Sequence, residues 1–174
     1  MKRLNLTQSI FVDNVKINKS LINIIKKMEL KKSEDGLESS YIKDNNHYLF
    51  HKIIPLLNSS FERICKELNF NSVTFIDLWV QKYNVAVNHD VHTHKVVNDI
   101  SANKLYSFIL YLDCGLKSGG TTFFNLGYPY CYLNQINVKP EVGKLLVFLS
   151  CLPHTANPSK DNKKLIVSGN IEFK

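Results

Sequence analysis

At 174 residues, with 44% hydrophobic and 21% charged residues, the chain has the length and composition of one globular domain. These values exclude an intrinsically disordered chain, and the sequence has no apolar run of the length that crosses a membrane. The four cysteines lack C-x-x-C spacing, which favours reduced thiols over a disulfide framework or a zinc finger. We expect a single domain over residues 1–174 in a soluble, cytoplasmic protein.

The net charge of +7 and the pI of about 9.2 are compatible with an anionic partner, nucleic acid included. The lysines, however, are spread along the chain and do not cluster with aromatic residues that would stack on bases. A solvated basic surface is therefore the favoured interpretation of this charge.

The first part of the chain has helical patterns. Apolar residues recur at helical spacing over residues 18–30, which predicts an amphipathic helix. A loop follows over residues 32–46, and a second helix over residues 49–57 is expected to be interrupted near Pro55. A capping box that begins at Ser59 predicts the start of a third helix. Residues 1–70 are thus predicted to form a helical support.

Beyond residue 71 the pattern changes to short β-rich runs separated by turn residues. Strands are predicted over residues 72–83, 104–113, 121–125, 128–138, 143–152 and 164–173, with a turn at Gly119 and Gly120. Helices followed by non-alternating strands indicate an α+β protein, mainly β with N-terminal helices. The strand number fits a double-stranded β-helix of the jelly-roll or cupin type over residues 71–174.

The candidate site is built on an H-x-H motif. In an extended strand His92 and His94 project from the same side, roughly 6–7 Å apart, so they can share one metal ion. His154 follows an apolar run and is the candidate third ligand. Taken alone, such a motif is weak, because histidine pairs also occur by chance.

The neighbouring residues strengthen this hypothesis through a resemblance. The segment over residues 83–94, the strand over 104–112, the G-G-T-T-F-F stretch over 119–124 and the P-E-V-G-K-L-L-V-F stretch over 140–148 are each similar to an ordered landmark of one family. That family is the prolyl 4-hydroxylase-like group of 2-oxoglutarate and Fe(II)-dependent oxygenases. The layout also resembles the small members of this group from phages and bacteria.

The resemblance implies roles by position. His92 matches the proximal and His154 the distal iron ligand, so both are implied as metal-binding and catalytic. His94 stands where the family has a carboxylate, and this departure leaves an Fe(II) site near +2 instead of +1. Fe(II) remains the expected metal, although zinc, nickel and cobalt should also bind.

Lys164, ten positions beyond His154, matches the basic residue that anchors 2-oxoglutarate. Tyr111 is a candidate second donor to the same carboxylate, and Ser107 is a weaker candidate on the same strand. The implied reaction consumes dioxygen and 2-oxoglutarate, releases succinate and CO2, and hydroxylates a small-molecule or peptide substrate, with ascorbate as an optional cofactor. No motif in the expected recognition loops, residues 95–103 and 125–135, identifies the substrate.

Several alternatives stay open from the sequence. Asp90 is a possible carboxylate ligand in place of His94, whereas His89 is expected at the surface or at the pocket mouth. His47 and His51 have helical spacing without the glutamate of H-E-x-x-H, which favours a solvated helix face. Two other functions compete: a three-histidine cupin dioxygenase that does not use 2-oxoglutarate, and a non-catalytic metal-binding or nucleic-acid-binding module.

Overall fold

The computed structural model describes residues 1–5, 9–34, 36–41, 47–94, 103–125 and 135–174. Most elements are antiparallel strands, and two helices accompany them. The helices are α1 (Lys19–Lys26) and α2 (His47–Leu68). The strands are β1 (Lys2–Asn5), β2 (Ser9–Asn14), β3 (Lys31–Lys32), β4 (Glu38–Ser39), β5 (Val73–Tyr83), β6 (His89–His92), β7 (Leu105–Asp113), β8 (Thr121–Phe124), β9 (Gln135–Val138), β10 (Lys144–Leu149), β11 (His154–Ala156) and β12 (Lys164–Phe173).

The strands form two facing sheets. The larger has the order β1-β2-β10-β7-β12-β5-β4-β3, and the smaller has the order β6-β11-β8-β9. Two antiparallel sheets with many crossover connections are the arrangement of a jelly roll. The predicted fold class, a double-stranded β-helix core with helices, is confirmed. Among the described residues, no helix has both the length and the apolar character needed to cross a membrane.

The helices cover the outer face of the large sheet. In α2 the residues Leu49, Ile53 and Leu57 recur every fourth position and are fully buried, which gives the helix one apolar stripe. Phe61 continues this stripe, and its ring lies 5.9 Å from that of Phe108 on β7. Aromatic pairs at this spacing add to the stability that area burial provides.

The predicted interruption of this helix at Pro55 is wrong. The residues from His47 to Leu68 form one continuous helix, so the predicted third helix does not begin at the capping box of Ser59. Pro55 lies on the exposed side of the helix while the buried stripe runs past it from Ile53 to Leu57. Packing of that stripe therefore outweighs the hydrogen bond that proline removes.

The first residues form strands, which corrects the prediction that residues 1–70 form a helical support. Strand β2 pairs with β10, with Val12 opposite Leu146, and β1 pairs with β2. Ile10 and Phe11 are buried on opposite faces of the sheet, one in each of the two core clusters. Strand β2 has six residues and polar neighbours on both sides, so hydrophobic periodicity does not distinguish it from a loop.

Gly119 and Gly120, just before β8, lie very close to the backbone of neighbouring segments. A Cβ atom at Gly119 would collide with the backbone carbonyl of Asn157, and one at Gly120 with that of Val138. Because neither contact leaves space for a side chain, only glycine permits this close approach. The strand that follows, β8, pairs with β11 and sets Phe123 opposite His154.

Candidate metal centre and its pocket

Three histidines of the small sheet meet at one point. His92 ends β6 and His154 begins β11, and the two residues are direct partners in the antiparallel pairing. His94 lies two residues beyond β6, where its backbone N–H donates to the carbonyl of Ser150 at 2.9 Å. One ring nitrogen of each histidine lies within 4.8 Å of the others. The predicted convergence of these residues is therefore present, although His94 lies past the end of its strand.

The backbone fixes the tautomer of two of these rings. His92 Nδ1 lies 2.7 Å from the carbonyl oxygen of Asp90, and His154 Nδ1 lies 2.9 Å from that of Leu152. A carbonyl oxygen can only accept, so both Nδ1 atoms carry the proton. The Nε2 atoms of both rings are consequently free to bind a metal ion.

The third ring is held by side chains. His94 Nδ1 lies 2.6 Å from Asn170 Oδ1 and 2.8 Å from the hydroxyl of Ser107. The amide nitrogen of Asn170 donates in turn to both carboxylate oxygens of Asp77, at 2.9 and 3.1 Å. A carboxylate accepts only, which orients the Asn170 amide with its carbonyl toward His94.

Burial lowers the pKa of all three histidines, and that of His154 most. Each ring therefore remains neutral at neutral pH, as metal binding requires. Three neutral imidazoles are a suitable donor set for iron, zinc, nickel or cobalt, and they leave coordination positions for other ligands.

The other polar candidates lie outside this cluster. The carboxylate of Asp90 is exposed and accepts from the side chain of Asn88 at 2.8 Å. His89 is half-buried, stacks on His92 with ring centroids 3.9 Å apart, and lines the pocket instead of lying on open surface. His51 is exposed, and the side chain of His47 is outside the described part of the chain.

A cavity of about 540 Å³ opens beside the three histidines, between the two sheets. Its walls are mainly apolar or aromatic, with a few polar groups; they include Trp79, Gln81, Tyr83, Ile109, Ile166 and Ser168. Tyr41 and Trp79 form an edge-to-face pair at 4.9 Å on one wall. Such a cavity is large enough for a small molecule.

Lys164 is on the same face of β12 as the cavity-lining residues Ile166 and Ser168, and it is completely buried. Its ammonium lies 4.2 Å from the centroid of the Tyr83 ring, which itself lines the cavity. The ammonium has no hydrogen-bond acceptor among the residues that the structure describes, and burial lowers its pKa to about 8. A buried cation without an acceptor is costly, which indicates a site for an anion.

The other two predicted anchor residues have different surroundings. The Tyr111 hydroxyl is buried 2.6 Å from that of Thr121, which lines the cavity, and burial raises the pKa of Tyr111 so that it stays protonated. Ser107 lies behind His94, where its hydroxyl also contacts that of Ser150 and donates to the amide oxygen of Asn170. Of these two, only Tyr111 lies near Lys164 in the sheet, because its partner on β12 is Ile166, whereas the partner of Ser107 is Asn170.

The predictions from sequence missed Asp77 and Asn170. Both line the cavity and contact each other, and Asn170 contacts His94. They are 93 positions apart in the chain, and only the register of β5 against β12 brings them together. No local motif links Asp77 to Asn170 in the sequence.

No protein-family model matches this sequence, and no curated protein does so either. Solved structures do match. A prolyl 4-hydroxylase from Pseudomonas putida has a TM-score of 0.65 and 17% identity, over 97% of this chain and 93% of that one. A viral collagen prolyl hydroxylase from Paramecium bursaria Chlorella virus-1, in complex with 2-oxoglutarate, gives 0.62 and 19%, over 93% and 94%. HygX from Streptomyces hygroscopicus, with nickel and 2-oxoglutarate bound, gives 0.69 and 10%, over 94% and 82%. The chain thus has the fold of these proteins, the fold that the resemblance implied.

Proposed function

We propose that this protein is an Fe(II)- and 2-oxoglutarate-dependent dioxygenase that hydroxylates a small molecule or a peptide. The observation that carries the proposal is a cavity with a three-imidazole cluster at its side and, next to its lining residue Tyr83, a buried ammonium without an acceptor among the described residues. Fold alone does not establish chemistry, so the argument depends on these side chains. The similar structures with bound 2-oxoglutarate support the same interpretation.

The metal site fits iron. His92, His94 and His154 would hold Fe(II) through their Nε2 atoms, and the ion would supply the redox chemistry that couples oxidative decarboxylation of 2-oxoglutarate to hydroxylation of a C–H bond. Three neutral ligands leave the ion's charge of +2 uncompensated. A dianionic co-substrate would neutralise that charge, which favours 2-oxoglutarate over a neutral ligand.

Lys164 would hold the distal carboxylate of 2-oxoglutarate. Its buried ammonium gains in the complex the acceptor that it lacks among the described residues. The Tyr111 hydroxyl lies beside Thr121 at the cavity wall and is protonated, so it is a suitable second donor. Apolar residues around these groups, among them Ile109 and Ile166, keep water from the carboxylate and strengthen both interactions.

The direct test is turnover of 2-oxoglutarate. Protein loaded with Fe(II) under ascorbate should convert 2-oxoglutarate to succinate and CO2, slowly even without the hydroxylated substrate, as measured by succinate detection and release of labelled CO2. The His154→Ala variant should lose this activity, because the two histidines that remain are too few to hold the metal ion. A folded, iron-loaded protein that forms no succinate would contradict the proposal.

A variant of Lys164 distinguishes the proposed function from a second candidate function. The histidine at position 94 also fits a three-histidine dioxygenase that needs no co-substrate, since all three ligands are then neutral. In that case Lys164→Ala would leave ligand binding and oxygen consumption unchanged. In a 2-oxoglutarate enzyme the same variant loses binding of the co-substrate.

The pH dependence of 2-oxoglutarate binding offers a further test. Because the pKa of Lys164 is lowered to about 8 in the free protein, its amine is charged below pH 8 and becomes neutral above it. We expect the dissociation constant, measured by calorimetry with Co²⁺ in place of iron, to be flat below pH 7.5. It should then rise about tenfold per pH unit above pH 8, since one proton is required for binding. Constant affinity from pH 7 to pH 9.5 would argue against an ionic anchor.

A further inference from the structure

Next to His94, three strands of the large sheet present polar side chains in one row. Asn170 on β12 is the direct partner of Asp77 on β5 and of Ser107 on β7. The pairing of β12 with β5 shifts register between Asn170 and Ile171, and at this irregularity the backbone N–H of Asn170 donates to Asp77 Oδ1 at 2.9 Å. Asp77 therefore holds both the backbone and the side chain of Asn170.

We propose that Asp77 and Asn170 are positioning residues that make a histidine work as a metal ligand at position 94. Asp77 fixes the Asn170 amide, the amide carbonyl accepts the proton of His94 Nδ1, and His94 Nε2 is thereby kept as a lone-pair donor. The carboxylate that the family has at position 94 is replaced here by that of Asp77, which reaches His94 through Asn170. The inference depends on the metal site of the proposed function but not on the use of 2-oxoglutarate.

Position 94 needs such a device more than the other two. The rings of His92 and His154 are oriented by backbone carbonyls, whose direction the strands fix. The ring of His94 instead faces an amide, which would present a donor or an acceptor according to its rotation by 180°. With the amide reversed, the NH2 group would favour the other tautomer, whose protonated Nε2 cannot bind a metal ion.

The first measurement needs no metal. In metal-free protein labelled with ¹⁵N-histidine, long-range ¹H–¹⁵N correlation spectra should show His94 protonated at Nδ1, with its signals assigned from a His94→Gln variant. Asp77→Asn should shift His94 toward the Nε2-protonated tautomer, because the new amide can donate to the Asn170 carbonyl and reverse it. Nε2 protonation of His94 in the unsubstituted protein would overturn the inference.

The second measurement is affinity for Co²⁺. Trp79 is the one tryptophan of the sequence, and its ring lies 5.7 Å from that of His94, so bound Co²⁺ should quench its fluorescence. Loss of the positioning contacts should weaken Co²⁺ binding about 10- to 100-fold. The variants are Asp77→Asn and the double variant Asn170→Leu with Ser107→Ala, since Ser107 is near enough to accept in place of Asn170.

Glu62→Gln is the matched control, because it removes an exposed carboxylate on α2 that does not line the cavity. Its Co²⁺ affinity should be unchanged. Affinities of the Asp77 and Asn170 variants within twofold of the unsubstituted protein would overturn the inference while leaving the metal site intact. Failure of the unsubstituted protein to bind Co²⁺ would instead contradict the proposed function. Should Asp77→Asn fail to fold, as its melting curve would show, the double variant and the tautomer of the unsubstituted protein decide the question.

Discussion

Replacing Lys164 with methionine should abolish 2-oxoglutarate binding and at the same time make the protein more stable. Loss of one partner of a buried charge pair costs about 2–5 kcal/mol, which corresponds to a loss of roughly 30-fold to several thousandfold in affinity. In the free protein, by contrast, the same ammonium is fully buried without an acceptor among the described residues. A methionine of similar length avoids that cost of desolvation.

The gain in stability follows from the lowered pKa. A lysine whose pKa falls to about 8 on folding binds its proton less tightly in the folded than in the unfolded state, where the pKa is near 10.5. This destabilises the folded state fully below pH 8, and the penalty disappears as the pH rises from 8 to about 10.5. We expect the variant to gain on the order of 2 kcal/mol at pH 7, with a melting temperature higher by several degrees.

Thermal unfolding of both proteins from pH 7 to pH 10 provides the measurement. The stability difference should shrink as the pH rises, because only the unsubstituted protein recovers stability in this interval. Lys163→Met is the matched control, since Lys163 is an exposed neighbour on the same segment. A Lys164→Met protein that is less stable at pH 7, or that still binds 2-oxoglutarate normally, would show that the ammonium has another role.

Replacing His94 with aspartate should weaken the metal site, even though it creates the two-histidine, one-carboxylate set that is usual for non-haem iron. An aspartate oxygen near the position of His94 Nδ1 would face Asn170 Oδ1, which lies 2.6 Å from that nitrogen. Two acceptors at this distance repel, and Asp77 prevents the amide from turning. Among the described residues, the Ser107 hydroxyl is the one donor near this position. A buried carboxylate that also faces an acceptor is incompletely paired, which costs about 1–3 kcal/mol, so Co²⁺ affinity should fall roughly 10- to 100-fold.

Adding Asp77→Asn to His94→Asp should restore part of the Co²⁺ affinity that His94→Asp loses. In the variant that combines His94→Asp with Asp77→Asn, the Asn170 amide is free to reverse and donate to the new carboxylate. Its Co²⁺ affinity should therefore exceed that of His94→Asp alone, although Asp77→Asn weakens binding when His94 is present. Calorimetric titration of the four proteins gives the coupling energy. Tighter binding by His94→Asp alone would show that Asn170 does not restrict position 94.

The fold was predictable because most strands of the core carry their own signal. The alternation in β5 and the apolar runs of β7, β10 and β12 are readable from sequence, and the bounds predicted for β12 agree with the structure. The N-terminal strands and the continuous helix through Pro55 were not predicted correctly. In both cases tertiary contacts decide: pairing with β10 for β2, and the buried face for α2.

The residues of the candidate site also fall into those that could be predicted from sequence and those that could not. The H-x-H motif made His92 and His94 candidate ligands with His154 as the third, and the resemblance to the oxygenase family strengthened this set and implied the role of Lys164. The partners of His94 were missed, since Asp77 and Asn170 are ordinary polar residues within strands. Their contact depends on the register shift beside Asn170, which no local pattern encodes. Ser107 was identified, but its position behind His94 required the structure.

The strand order also has a consequence for how the protein is made. The sequence of β12 comes after those of all other described strands, yet β12 lies between β7 and β5 in the interior of the large sheet. A ribosome therefore releases β5 and β7 long before the strand that joins them exists, and non-local pairings of this kind form slowly. Because β12 also carries Lys164 and Asn170, a nascent chain that stops short of it has neither a closed sheet nor a finished pocket. Insertion of this strand would join the two parts of the large sheet and complete the pocket in a single event.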